Sequence, residues 1–129
     1  MEQDASHESG QARDRRFDLE ERTARFGEAV ILFVRRLKAD DVNQTLIPQV
    51  IRSATSIGAN YAEADATQTK KDFRHKIGIC AREAKETKHW LRMLASANDA
   101  ETDGCRKLWQ EAQELALIFS AIVRSASKE

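Results

Sequence analysis

The residues best placed to do chemistry crowd into one stretch, "KKDFRHKIGICAREAKETKHWLRML", residues 70–94. There Lys70, Lys71, Arg74, Lys76, Arg82, Lys85, Lys88 and Arg92 are opposed only by Asp72, Glu83 and Glu86. Cations at that density suit anions, because each neutralised phosphate releases counterions and Arg can grip phosphate with two donors. Other chemistries are harder to assemble. His75 and His89 would stand about 21 Å apart along a helix, too far to share one ion, and His7 lies in the N-terminal segment. The five glycines are dispersed, and "SIGAN" lacks the spacing of a phosphate cradle. Glu83 and Glu86, beside Arg82 and Lys85, read as helix-surface charge. No local run places a Ser, Cys or Lys nucleophile beside a base. The sequence therefore predicts no catalytic residue, no metal and no cofactor, and the chain reads as a non-enzyme.

Helices must position these residues. Leu19, Phe26, Val30, Phe33, Val34 and Leu37 recur at helical spacing and predict a helix over about 18–38. After "ADDVNQT" a second runs over about 45–64, with Pro48 placed in its first turn. Its apolar face carries Leu46, Ile47, Val50, Ile51, Ile57 and Tyr61, and Ala54, Gly58 and Ala62 let a neighbour come close. Thr69, three residues before Asp72, predicts an N-cap for a third helix over about 69–98. A fourth, over about 103–127, carries Leu108, Ala112, Leu115, Phe119, Ile122 and Ala126 on one stripe. No segment alternates with period two, and short polar loops join long amphipathic helices. The expected fold is all-α, an antiparallel up-down-up-down four-helix bundle over residues 17–127.

Composition agrees. At 129 residues the chain fits one domain, and 33% charged residues with one proline suit long helices. Formal net charge is +0, so a nucleic-acid partner would have to be met by a local patch. Residues 1–16 contain no apolar run and are expected to form a disordered tail. No stretch approaches the roughly twenty apolar residues a bilayer requires, so a soluble, cytoplasmic protein is expected, with no membrane partner. Cys80 and Cys105 should then remain thiols, Cys80 as a small buried hydrophobe.

On the third helix, Phe73, Ile77, Cys80, Ala84, Leu91 and Ala95 form the core side. Lys71, Arg74, His75, Arg82, Lys85, His89 and Arg92 form the opposite side, with Gly78 and Ser96 among them. Two readings stay open: a surface for RNA or DNA, or a solvated face that meets an acidic protein. Protonation of His75 and His89 on mild acidification would strengthen the first. Between the two sides lie Ile79, Trp90 and Met93, which predict either self-association or a wide core that takes in Trp90. On the second helix Arg52, Ser56, Asn60 and Glu63 form a polar ladder, expected to be structural and to contact a neighbouring helix or subunit.

The pattern "RSATSIGANYAEA" (Arg52, Ser56, Ile57, Ala59, Asn60, Ala62, Glu63), the helix opening at Lys70, Lys71 and Phe73, and "FDLEERTARFGEAV" resemble a bacterial family. It is the four-helix bundle proteins of intervening sequences in 23S ribosomal RNA genes, related to the Avd accessory protein of diversity-generating retroelements. The likeness covers about residues 17–125. It implies a homo-oligomer, a pentameric ring, and for Avd it implies binding to nucleic acid and to a reverse transcriptase. It implies no reaction. Avd is strongly basic overall, whereas this chain confines its excess cations to one helix.

Overall fold

Four helices account for the computed structural model: α1 (His7–Val34), α2 (Asp41–Asp65), α3 (Lys70–Ala97) and α4 (Thr102–Ser127), with a short 3₁₀ turn at Asp99–Glu101. The structure describes residues 7–127, with side chains from Asp18 to Ser127; of the tail expected over residues 1–16, residues 1–6 lie outside the described residues and 7–16 lie in α1, which starts upstream of the expected residue 18. No strand occurs among the described residues.

Capping decides where the helices begin. The Thr69 hydroxyl accepts from Asp72 N–H at 3.1 Å, as the sequence predicts for α3. At α2 the start moves four residues upstream of the expected Thr45, because the Asp40 carboxylate accepts from Asn43 N–H at 2.8 Å and caps the helix there. Pro48 is thereby placed inside the helix and not in its first turn, at an exposed position, where it supplies no N–H to the preceding turn. Helix α1 ends at Val34, four residues short of the predicted Lys38, and residues 35–37 turn toward α2.

Contacts between helices run in descending register, as antiparallel neighbours give. Between α1 and α2, a side chain at Gly27 would meet Thr55 and one at Gly58 would meet Thr23. Between α2 and α3, Ser53 meets Thr87 and Ile57 meets Cys80. Between α3 and α4, the Lys88 ammonium donates to Gln113 and lies 5.2 Å from the Trp109 ring. Arg22 and Glu111 join α1 to α4. The core between them holds Val30, Val50, Ile57, Ile77, Leu91, Leu94, Leu115 and Phe119, each essentially removed from water. Tyr61 packs against Phe119 with ring centroids 5.9 Å apart.

Cys80 is buried and donates to the Ile57 carbonyl, and burial pushes its thiol up to about 12. Cys105 is also buried, its thiol pushed up to about 11 by burial and then by Glu101. Both are free thiols packed as small hydrophobes.

Candidate nucleic-acid interface

Helix α3 is gripped on both flanks, and this fixes which of its residues face solvent. On the α2 flank, Arg52 donates to Glu86 at 2.8 Å and stands 3.6 Å from Glu83, while Lys76 donates to Glu63 at 2.6 Å. On the α4 flank, Lys88 is engaged by Gln113 and Trp109. The outward face then carries Lys71, Arg74, His75, Arg82, Lys85, His89 and Arg92, all exposed. Among the described residues none of Lys71, Arg74, Arg82, Lys85 and Arg92 forms an ion pair. Of the other three cations, Lys76 and Lys88 are engaged by the neighbouring helices.

The ladder on α2 divides in two. Arg52 and Glu63 reach across to α3, as above, whereas Asn60 turns back on its own helix and donates to the Ser56 carbonyl at 2.8 Å and to its hydroxyl at 3.3 Å. These ion pairs lie on a partly exposed surface, where each is worth about 0.2–1 kcal/mol.

Ile79, Trp90 and Met93 are each partly buried, and Trp90 packs against the core with the His89 ring edge-on at 4.9 Å. The large apolar side chains left exposed lie elsewhere: Leu32 and Ile31 on α1, Val42 on α2, Trp109 and Leu117 on α4. Periodicity alone did not single these out, since an outward leucine breaks no pattern.

Sequence reasoning also missed the character of Glu83. Instead of surface charge, it is 8% exposed, and one of its carboxylate oxygens has no hydrogen-bond partner. Burial, and then the neighbouring Glu86 carboxyl, hold Glu83 above the usual carboxylate range. Burial acts on Glu86 in the same sense, yet Glu83 and the Arg52 guanidinium hold it below that range. Glu83 lies on the inner side of the helix beside Thr87, whose hydroxyl donates to the Glu83 carbonyl at 2.7 Å and meets Ser53 at 2.8 Å.

Among the described residues no group of three or more His, Cys, Asp or Glu could hold a metal ion, and no helix is long and apolar enough to cross a membrane. A hollow of about 950 Å³ lies at the far end of the bundle, lined by Leu19, Tyr61, Phe73 and Ile122 together with Asp18, Arg22, Asp65 and Lys70. It shares none of the outward cations of α3.

Similar proteins fit this architecture. A crystal structure of a protein of unknown function from the S23 ribosomal protein family of Bacteroides thetaiotaomicron superposes with a TM-score of 0.73 at 26% identity, covering 84% of this chain and 97% of that one. An uncharacterized aldolase of Saccharolobus solfataricus is 31% identical over 106 residues, 71% of this chain. This chain spans 39% of that relative's length. With residues 15–121 matching the family's description from the end of the N-terminal segment well into α4, the chain belongs to the 23S rRNA-intervening sequence protein family.

Proposed function

We propose that this protein is a non-enzymatic nucleic-acid-associated accessory protein that works as a homo-oligomer and binds polyanion along α3. One observation carries the reading: five exposed cations on one face of a helix, unpaired among the described residues, in a chain of zero formal charge. An ordinary solvated helix interleaves acids at i and i+4, and only Glu86 borders this row. Self-association would multiply a weak stripe into an effective surface, and five copies is the number the family resemblance implies. Exposed Leu32, Leu117 and Trp109 support association of copies.

The aldolase name belongs to a chain more than twice as long, and nothing in this site favours that chemistry. A lysine that forms a Schiff base needs a desolvated pocket or a cationic neighbour inside one, whereas Lys71 and Lys85 stand in solvent.

Titration of labelled RNA and DNA at low salt tests the reading, comparing the native protein with Arg82→Glu/Lys85→Glu. The expected result is binding that falls steeply with salt and is lost in the double reversal. Removing each cation should lower the slope of log K against log salt by about one per subunit engaged. Light scattering on the same samples should give a mass well above the 14.6 kDa of one chain. Binding that ignores the double reversal would hand the stripe to an acidic protein partner or to solvent, and a monomer mass would remove the oligomer.

A further inference from the structure

The outward face of α3 is more regular than a patch. Lys71, His75, Gly78, Arg82, Lys85, His89 and Arg92 follow one another at alternating steps of four and three residues, a straight row about 32 Å long. Gly78 is the one member without a polar side chain. A Cβ built on Gly78 would meet nothing within 4 Å, so packing inside this chain does not require glycine there. Gly78 is one residue in the lining of a hollow of about 390 Å³ that takes in Lys71, Arg74, His75, Ile79 and Arg82 of α3 and closes on one side against Val123 and Ser127 of α4. A glycine inside a helix is unfavourable, because it loses the most backbone freedom on folding, and a close approach to the backbone is one use that offsets this. Among the described residues nothing fills the space over Gly78, and the cations around it suit an anion from outside.

The shape of the row selects the form of that anion. Helix α3 is packed by α2 on one flank and by α4 on the other, through Arg52–Glu86, Lys76–Glu63 and Lys88–Gln113. A helix so flanked offers a nucleic acid its outer row alone and not its flanks. Each strand of a duplex winds once about its axis in roughly 34 Å, so a straight row of about this length meets a given strand only where it crosses. A single strand can straighten and stay with the row. We propose that one strand of polynucleotide runs along α3 and seats a phosphodiester over Gly78, between Arg74 and Arg82. This rests on the polyanion reading above.

The experiment fills the seat without touching charge. Gly78→Leu, and Gly78→Ala as the smaller step, should fold and melt about 2–5 °C higher than the native protein, since both residues favour helix. Gly78→Leu should weaken binding of a single-stranded oligonucleotide by about tenfold while leaving the salt slope unchanged, because no cation is removed. A duplex of equal length should bind at least several-fold more weakly than the single strand. Unchanged affinity in Gly78→Leu, with binding lost in Arg82→Glu/Lys85→Glu, would overturn the seat and leave the polyanion reading standing. Equal or tighter duplex binding would overturn the single-strand track. Displacement of the strand by inorganic phosphate, beyond the effect of chloride at matched ionic strength, would mark a free-phosphate site instead. If the native protein binds neither nucleic acid at low salt, this inference and the reading beneath it fall together.

Discussion

Glu83 is the only charged side chain among the described residues that the fold takes out of water, and its sign of response to pH can be worked out. Its carboxyl is held above the usual range by burial and by Glu86, so the folded state binds the proton more tightly than the unfolded state. The stability this gives is complete below the ordinary Glu range, about pH 4, and is lost as pH rises through the raised value. Glu83→Gln fixes the neutral form and keeps a donor for Glu86. It should melt with the native protein near pH 4 and above it at pH 8, by about 2–5 °C. Glu86 runs the other way: its lowered value gives stability that is present above the ordinary range and lost as pH falls through the folded value. Glu86→Gln should therefore be the less stable protein at pH 8, with the difference closing in acid. Thermal melts of the two variants across pH check both signs, and parallel curves for Glu83→Gln and the native protein would refute the assignment.

At the scale of elements, the least expected device is an amide pair at one end of the bundle. Asn43, fully buried near the start of α2, donates to Asn98 at 3.0 Å and to the Lys38 carbonyl at 2.7 Å. Asn98, at the end of α3, donates back to Asn43 at 2.9 Å and to the Leu94 carbonyl at 2.9 Å. Two loop ends and a helix cap are thus satisfied by one reciprocal contact. Asn43→Ala would leave the Asn98 side-chain oxygen without its Asn43 donor and the Lys38 carbonyl with only the Asp40 N–H, at a cost of about 1–3 kcal/mol. A urea midpoint within error of the native value would show that the pair is dispensable. Sequence reading places this stretch in a loop, because "ADDVNQT" is polar and its partner lies 55 residues away. By contrast the Thr69 cap, the core stripe of α3 and the outward cations are legible, since each depends on residues within a turn or two of one another. Glu83 was not legible for the same reason: its burial is set by α2, and spacing along α3 cannot report how closely another helix lies. Gly104 is a parallel case, where a Cβ would collide with the buried Phe33 ring contributed by α1.

For the molecule as a whole, charge is segregated by helix. Eight cations against three acids give α3 an excess of five, which the rest of a neutral chain must oppose. Arg22 shows where part of that opposition lies: its guanidinium donates to Glu111 at 2.7 and 2.8 Å and to Glu114 at 3.0 Å, and these bonds, the one to Glu111 foremost, raise its already high pKa further. The acids of α4 are thus partly occupied by a cation from α1. Segregation of this kind gives one face a strong local field in a chain of zero formal net charge.

The same bridge has a consequence for local opening. Helix α1 packs chiefly on α2 and touches α4 sparsely, so Arg22 with its two acids, and Phe33 against Gly104, hold that seam. Helix α3, by contrast, packs extensively against both α2 and α4. Opening of α1 should therefore cost less than global unfolding, and amide exchange should show it as a separate cooperative unit. Backbone amides of α1 around Thr23–Val30 are expected to exchange about tenfold or more faster than those of α3 around Ile77–Leu91, a gap that Arg22→Ala should widen. Equal protection of the two helices would mean that the seam opens only when the whole molecule does.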